Sequence, residues 1–154
     1  MKRLLILSDS HGLRGRVGAL LMKAEAEGPL DGVIHLGDGY RDLDPYRAEL
    51  PFVYQVPGNC DGDGEGVCFY PEVEGVRVLM THGHGLGVRT SLRELKRFAR
   101  AHDCAVALYG HTHRPHLERD GELLVLNPGA VMDGRYAVLT LKDGRAEAEL
   151  RGSD

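Results

Sequence analysis

Short apolar runs alternate with turn residues and with helical patterns along most of the chain. The runs that are typical of strands cover residues 3–8, 32–36, 52–56, 76–81, 105–109, 122–126 and 135–141. Between the first two runs, apolar residues recur at the spacing of one helix face over about residues 13–27. A second helix is predicted from Ser91 to about His102, because Ser91 and Glu94 have the spacing of a capping box. This alternation indicates an α/β protein.

The later part of the chain is predicted to form hairpins. Three pairs of turn residues separate short strand-like runs, namely Glu74-Gly75, Asp120-Gly121 and Asp143-Gly144. We expect either one mixed sheet or two mixed β-sheets packed as a sandwich, flanked by helices. At 154 residues the chain fits a single domain over residues 1–154, and a domain of that size buries about 68–70% of the surface of its unfolded form.

Side chains that bind metals follow five consecutive predicted strands. The full set is Asp9, His11, Asp38, Asn59, His82, His84, His111 and His113. In open α/β sheets ligands bind outside the carboxyl ends of the strands, so the five turns can converge on one point. Glycines beside four of the turns let the backbone bend tightly there. The pattern therefore predicts a metal site built from segments that are far apart in the chain.

Each of these motifs also has a simpler interpretation. Asp9 alone is typical of a helix cap, and Asp38 alone is typical of a turn. His82 could face solvent at a strand end, whereas His111 and His113 point to the same side of an extended segment. The simpler interpretations require five independent coincidences at equivalent positions, which favours one shared metal site.

Taken together, five short motifs resemble those of the calcineurin-like metallophosphoesterase superfamily. They are Asp9-x-His11, Gly37-Asp38, Gly58-Asn59-Cys60-Asp61, His82-Gly83-His84 and Gly110-His111-Thr112-His113. The chain is most similar to the short bacterial and archaeal phosphodiesterases, which have Gly-Asn-Cys-Asp where larger members have Gly-Asn-His. Asn127-Pro128-Gly129 also resembles the Asn-Pro-Gly-Ser segment of that branch, with Ala130 in the place of the serine. The likeness runs from residue 3 to about residue 141 and implies the sandwich fold.

The resemblance implies a centre of two metal ions. One ion would bind Asp9, His11, Asp38 and His113, and the other would bind Asp38, Asn59, His82 and His111. Seven protein ligands are too many for one tetrahedral site, which supports two ions independently. Imidazoles mixed with carboxylate and amide oxygens suit Mn²⁺, Ni²⁺, Fe or Zn²⁺ better than Ca²⁺ or Mg²⁺, and Mn²⁺ is favoured among them.

The activity implied by the resemblance is metal-dependent hydrolysis of a small phosphodiester substrate. Two ions can polarise a phosphoryl oxygen and convert a bridging water into the attacking hydroxide. Two alternatives stay open: a phosphomonoesterase, and a non-catalytic metal-binding scaffold resembling the small retromer subunit. The scaffold is disfavoured because all seven ligand positions hold ligand-type residues.

Two further residues are candidates for a catalytic role beside the metals. Cys60 stands where the wider superfamily has a histidine that protonates or stabilises the departing oxygen, and a thiol is a weak, neutral donor. His84 is the candidate to take over that task, the alternative being a structural or solvent-exposed imidazole. Asp61 either orients a neighbouring ligand or is a turn aspartate. Because the thiol of Cys60 is a weak proton donor, we expect a substrate whose leaving group departs with little proton donation.

Other polar residues receive structural interpretations. His35 lies inside an apolar run and is predicted to be a core histidine. Asp42 and Asp44 follow Asp38 by four and six residues, whereas the usual carboxylate of the superfamily follows by three, so neither is assigned a role. The basic face of the second helix is predicted to be solvated and consists of Arg93, Lys96, Arg97 and Arg100.

Charge and composition restrict the partners and the compartment. Nineteen basic and 23 acidic residues give a formal charge of −4, which disfavours general binding to nucleic acid or to an anionic membrane. The apolar run after Arg3 is too short for a signal peptide, and no run reaches the ~18 residues of a membrane span. Cys60, Cys68 and Cys104 form no CxxC pair, which is typical of reduced thiols. We therefore expect a cytoplasmic protein, which could form homo-oligomers through an edge strand.

Overall fold

The computed structural model describes residues 1–61 and 66–152. Two α-helices lie in these ranges, α1 (Arg14–Glu27) and α2 (Arg93–Ala101). The strands in the same ranges are β1 (Lys2–Leu7), β2 (Gly32–His35), β3 (Val53–Gln55), β4 (Cys68–Phe69), β5 (Glu72–Val73), β6 (Val76–Thr81), β7 (Val106–Leu108), β8 (His116–Asp120), β9 (Leu123–Asn127), β10 (Arg135–Lys142) and β11 (Arg145–Gly152). A 3-10 segment, Tyr40–Glu49, lies between β2 and β3. Within the described ranges, neither helix is both long and apolar enough to cross a bilayer.

The first sheet has five strands in the order β11-β10-β1-β2-β3. β1, β2 and β3 are parallel, so that Ile6 pairs with Ile34 and Ile34 pairs with Tyr54. α1 provides the crossover that the parallel pair β1 and β2 requires. β10 pairs antiparallel with β1, and β11 pairs antiparallel with β10.

The second sheet has six strands in the order β4-β6-β7-β9-β8, with β5 also paired to β6. β6, β7 and β9 are parallel, and α2 connects β6 to β7. β4, β5 and β8 form antiparallel pairs at the margins of the sheet. Both sheets are therefore mixed, and each has parallel strands whose carboxyl ends lie at one edge.

The two sheets pack face to face through a shared apolar core. On β1, Leu4 and Ile6 enter this core, whereas Leu5 and Leu7 pack on the opposite side with residues of α1, because successive side chains of a strand alternate. Leu79 of β6 faces away from the shared core and packs with residues of α2. The structure is thus a two-sheet sandwich with a helix outside each sheet, which confirms the predicted fold class.

Each predicted hairpin turn joins two paired strands. The residue pairs that close the turns are Val73 with Val76, Asp120 with Leu123, and Lys142 with Arg145. Glu74 and Asp143 have φ values of 51° and 53°, and the glycine after each also has positive φ. Positive φ at both central residues is what a two-residue type I′ hairpin requires.

The predicted second helix is confirmed, but the capping box predicted at its start is wrong. α2 begins at Arg93 after Leu92, and no side chain caps its N-terminus. The hydroxyl of Ser91 instead accepts the backbone N–H of Arg93 at 3.4 Å. A capping side chain has to reach the N–H two or three positions into the helix, and Ser91 stands one residue too far out.

Candidate metal centre

The turns after β1, β2, β3, β6 and β7 meet at one edge of the sandwich. Within the first sheet, the N–H of Asp9 donates to the carbonyl of Gly37 at 2.9 Å. Within the second sheet, the N–H of Gly110 donates to the carbonyl of His82 at 3.0 Å. Between the sheets, the N–H of His111 donates to a carboxylate oxygen of Asp9 at 3.1 Å. The topology therefore brings the predicted ligand segments together.

Backbone strain is concentrated at the predicted ligands. Five of the seven have φ between 46° and 68°, namely Asp9, His11, Asp38, His111 and His113. In the described ranges three other non-glycine residues share this left-handed conformation, and they are Glu74, Asp103 and Asp143. Non-glycine residues adopt it rarely, and outside tight turns such residues cluster at functional sites. The backbone therefore marks the same residues as their ligand chemistry does.

Asp9 is fully buried and leaves one carboxylate oxygen without a hydrogen bond. Its Oδ2 accepts the hydroxyl of Ser8 and the N–H of His111. Its Oδ1 faces imidazole nitrogens, with Nε2 of His113 at 3.2 Å and Nε2 of His11 at 3.8 Å. Burial raises the pKa of the Asp9 carboxyl. A buried carboxylate oxygen that faces ring nitrogens in this way fits a bound cation, whose charge offsets the cost of burying the carboxylate.

Asp38 lies between two groups of imidazoles. Its Oδ1 accepts the N–H of Cys60 at 2.8 Å. Its Oδ2 lies 3.2 Å from Nε2 of His82 and 3.8 Å from Nε2 of His11. One oxygen thus faces an imidazole from each of the two expected half-sites. Oδ1 of Asp9 also does so, because Nε2 of His82 lies 3.8 Å from it, and the two carboxylates therefore lie between the two groups of imidazoles.

His82 and His111 present ring nitrogens to the same space. Nδ1–H of the buried His82 donates to the carbonyl of Leu36 at 2.7 Å, which leaves the lone pair of Nε2 available to a metal. Nδ1 of His111 lies 3.2 Å from this Nε2. Burial and the neighbouring His82 lower the pKa of His111 to about 4. His111 is therefore neutral at neutral pH, which is the form that binds metal.

Two groups of donor atoms correspond to the two expected half-sites. Each group has its donor atoms within 4.8 Å of one another, and the groups are Asp9, His11 and His113, and Asp38, His82 and His111. Asn59 is exposed at the start of the 3-10 turn Asn59–Asp61, next to Cys60, whose N–H binds Asp38. The mixture of imidazole nitrogens with carboxylate oxygens fits a divalent transition metal.

Two glycines allow the ligand turns to approach one another. A Cβ on Gly58 would lie 2.5 Å from the backbone nitrogen of Asp38, and a Cβ on Gly110 would lie 2.9 Å from Oδ2 of Asp9. Real side chains do not approach other atoms so closely, so any larger residue would push Asp38 or Asp9 out of place.

The two candidates for a catalytic role lie beside the ligands. Cys60 is exposed, and its Sγ lies within 4.8 Å of donor atoms of His11 and Asp38. Desolvation and the charge of Asp38 raise the pKa of the Cys60 thiol, so it stays neutral at neutral pH. The ring centroid of His84 lies 5.5 Å from that of His82. Both ring nitrogens of His84 are shielded from solvent, and neither has a hydrogen-bond partner among the described residues.

Asp61 holds the turns that carry Asp38 and Asn59. Its Oδ2 accepts the N–H of Asp38 at 2.7 Å and the N–H of Gly58 at 2.9 Å. Its Oδ1 accepts the N–H of Gly39 at 2.9 Å. A turn aspartate would need only the local bond to Gly58, so the two bonds to the β2 turn favour the interpretation that Asp61 orients neighbouring ligands.

A buried polar network behind the ligands is not predicted by the sequence pattern. Nε2 of His35 lies 2.9 Å from the hydroxyl of Ser10, and that hydroxyl donates to Asp42 at 2.6 Å. The N–H of Gly37 donates to Nδ1 of His35 at 3.1 Å. His35 is thus the core histidine that the sequence predicts, but it also connects Ser10, which stands between two predicted ligands, to the turn after β2. One sign of this network is visible in the sequence, namely the polar residue His35 inside an apolar run.

Acid is expected to destabilise the protein through His35. Burial lowers the pKa of His35 from 6.5 to about 4. Between those pH values the unfolded chain binds a proton that the folded chain does not, so the stability that neutral His35 contributes is present above pH 6.5 and is lost as the pH falls toward 4. From pH 7 to pH 5 the part of the loss that His35 contributes is expected to be about 2 kcal/mol. Urea unfolding in the presence of a chelator measures the total loss, to which His111, whose pKa is also lowered to about 4, contributes as well.

The variant His35→Gln isolates this effect, because glutamine has a donor and an acceptor but does not titrate. Its stability should fall by about 2 kcal/mol less than that of the unmodified protein over the same pH interval. His102→Gln, at the far end of α2, is the matched control and should keep the original pH dependence. Equal losses in the unmodified protein and in His35→Gln would contradict the assignment.

Comparison with known proteins is consistent with this geometry. Residues 1–144 match the model of the calcineurin-like phosphoesterase superfamily domain. The chain is 34% identical over 149 residues to a probable metallophosphoesterase, YsnB, of Bacillus subtilis, covering 92% of this chain and 86% of that protein. It is 31% identical over 88 residues to phosphodiesterase YfcE of Escherichia coli, covering 51% and 44%. A single-mutant Vps29 from Entamoeba histolytica superposes with a TM-score of 0.71 at 19% identity, covering 99% of each chain.

Proposed function

We propose that this chain, which belongs to the calcineurin-like phosphoesterase superfamily, hydrolyses phosphodiesters with the help of two divalent transition-metal ions. The observation that carries the proposal is the convergence of two carboxylates and four imidazoles in two adjoining groups of donor atoms. In the proposed arrangement Asp38 is shared, Asp9, His11 and His113 complete one half-site, and Asn59, His82 and His111 complete the other. Mn²⁺ is the proposed metal among the ions that such a donor set accepts.

Two such ions, when bound, supply Lewis-acid polarisation of the phosphoryl oxygen and lower the pKa of water toward neutrality. The chain fixes the form or the direction of three of its donor groups. The bond from Nδ1 of His82 to Leu36 fixes the tautomer of the ring, and the lowered pKa of His111 keeps that ring neutral. The bonds to Oδ2 of Asp9 turn its other oxygen toward the imidazoles.

Cys60 and His84 are proposed to face the departing group. A neutral thiol at Cys60 gives little help to a departing oxygen. His84 is the candidate proton donor, because its ring lies beside those of His82 and His111 and its nitrogens have no hydrogen-bond partner in the described part of the chain. Substrates with a good leaving group, such as aryl esters, should therefore react fastest.

A hydrolysis assay distinguishes the proposed function from two alternatives, a phosphomonoesterase and a non-catalytic scaffold. The Escherichia coli relative is named a phosphodiesterase, which is a reason to expect diesters to be better substrates than monoesters. The Vps29 structure is a fold likeness at 19% identity, and it supports the scaffold alternative only as far as a shared fold does. All seven proposed ligand positions of this chain hold ligand-type residues, which favours the enzyme.

The test is a hydrolysis assay on purified protein with Mn²⁺, Ni²⁺, Fe²⁺ or Zn²⁺ and with a chelator. Bis(4-nitrophenyl) phosphate should be hydrolysed with Mn²⁺ and should not be hydrolysed in the chelator. 4-Nitrophenyl phosphate, the matched monoester, should react more slowly. Turnover that resists the chelator would point to a protein nucleophile, and no turnover with any metal on either ester would support the scaffold.

A further inference from the structure

A surface groove of about 530 Å³ adjoins the metal centre at His113 and is not used by the proposed metal chemistry. We call it the arginine groove. Arg89 and Leu92 line it from the segment between β6 and α2, and Tyr109, His113, Arg114 and Pro115 line it from the segment between β7 and β8. Val88 and Tyr109 are buried beneath the groove, whereas Arg89 and Arg114 are exposed. Its volume is in the range of small-molecule sites.

The charges that line the arginine groove are positive. Among residues 1–61 and 66–152, no carboxylate lines the groove, and the guanidinium groups of Arg89 and Arg114 have no ion-pair partner. Two acidic side chains stand two positions beyond lining residues, and both have cationic partners. Glu118 lies 3.0 Å from Lys96 and 3.0 Å from His116, and Glu94 lies 4.0 Å from Arg97. Other arginines of the protein do have carboxylate partners, such as Arg100 with Asp120 at 3.1 Å.

The groove is continuous with the metal centre. His113 lines the groove and also places Nε2 3.2 Å from Oδ1 of Asp9. A phosphoester bound at the metal centre could therefore extend one of its arms along the groove.

We propose that the arginine groove binds a second phosphate group on one arm of the substrate. This proposal rests on the proposed phosphoesterase function and names the class of its substrate, a phosphodiester that carries a further phosphate on an organic arm. Arginine suits this task because its planar fork donates paired hydrogen bonds to phosphate oxygens. The apolar side chains of Leu92, Tyr109 and Pro115 suit the organic part between the two phosphates. The overall charge of −4 means that attraction for a second phosphate has to come from such a local group of cations.

The experiment compares two substrates that release the same 4-nitrophenolate. They are thymidine 5′-(4-nitrophenyl phosphate) and the same compound with an added 3′-phosphate. With the Mn²⁺-loaded protein, kcat/KM should be about tenfold higher for the compound with the added phosphate. Arg89→Gln and Arg114→Gln should each reduce this preference about three- to tenfold, mainly through KM. Arg97→Gln, an exposed arginine of α2 that does not line the groove, is the matched control and should keep the preference.

A binding measurement separates this proposal from the proposed function. In calorimetric titrations the protein should bind thymidine 3′,5′-bisphosphate more tightly than thymidine 5′-monophosphate, and the two arginine variants should reduce that difference. If no ester is hydrolysed with any metal, the proposed function fails while the titrations still test the groove. Equal kcat/KM for the two esters, or a preference that both arginine variants leave unchanged, would overturn the assignment of the groove.

Discussion

Asp38→Asn is expected to lower kcat/KM for an aryl phosphodiester by more than about 100-fold. Removing a residue that only supports a metal ligand typically lowers metal affinity or activity about 10–100-fold, and Asp38 is itself a proposed ligand. Oδ2 of Asp38 lies 3.2 Å from Nε2 of His82 and 3.8 Å from Nε2 of His11, so one oxygen faces both groups of donor atoms, and in the proposed arrangement Asp38 is the ligand shared by the two ions. Asparagine removes the negative charge from both groups at once. No other predicted ligand is proposed to be shared in this way.

Metal content after dialysis against a fixed Mn²⁺ concentration is the second measurement. The unmodified protein should hold about two ions per chain, Asp38→Asn should lose most of both, and His113→Ala should lose mainly one, since His113 lies on the Asp9 side alone. Asp44→Asn, an exposed aspartate of the same 3-10 segment as Asp42, is the control. One ion per chain in the reconstituted protein, or two ions in Asp38→Asn, would contradict the shared-ligand arrangement.

The ligand segments could be predicted from the sequence because two independent regularities coincide. Apolar runs locate the strands, and parallel strands place their carboxyl ends at one edge, so Asp9 and Asp38 had to be neighbours once β1 and β2 were parallel. Ligand-type side chains at the same five ends then indicate a metal. Neither regularity depends on the detailed conformation of a loop.

The supporting contacts depend on loop conformation, and this is why the sequence left them open. Asp61 accepts the N–H of Gly39 in a turn where Asp38 and Gly39 both have positive φ, and no apolar pattern reports such a turn. The contact between Ser10 and Asp42 joins residues 32 positions apart through a buried hydroxyl. Ser91 shows the opposite case: a local capping pattern is present in the sequence, but the helix begins one residue later than the motif requires.

Arg89 and Arg114 illustrate a third kind of information that is missing from the sequence. Fifteen arginines are spread along the chain, and nothing in their local pattern separates those with carboxylate partners from those without. The groove arises from folding, because the segment before α2 and the segment after β7 are brought together beside His113. Substrate selectivity therefore has to be argued from the structure, even though the metal ligands can be argued from the sequence.

Asp61→Ala is expected to reduce both metal affinity and kcat/KM by about 10–100-fold, the usual effect of removing a residue that orients metal ligands. Alanine leaves the N–H groups of Asp38, Gly39 and Gly58 without their carboxylate acceptor. Because Asp61 is half-buried, water can replace part of these bonds, and the fold should survive. The turns after β2 and β3 would then no longer be held together, so Asp38 and Asn59 would bind their ions with less precise geometry.

The measurement that separates an orienting role from a merely structural one is the Mn²⁺ dependence of activity together with the thermal midpoint of unfolding in a chelator. Asp61→Ala should require about 10–100-fold more Mn²⁺ for half-maximal activity, while Asp44→Ala, the exposed control, should behave like the unmodified protein. Asp61→Asn keeps one acceptor oxygen but turns an amide N–H group toward a backbone N–H, so its Mn²⁺ requirement should lie between those of the unmodified protein and Asp61→Ala. If Asp61→Ala lowers the midpoint but leaves the Mn²⁺ requirement unchanged, Asp61 stabilises the turns without orienting the ligands, and the proposed role is wrong.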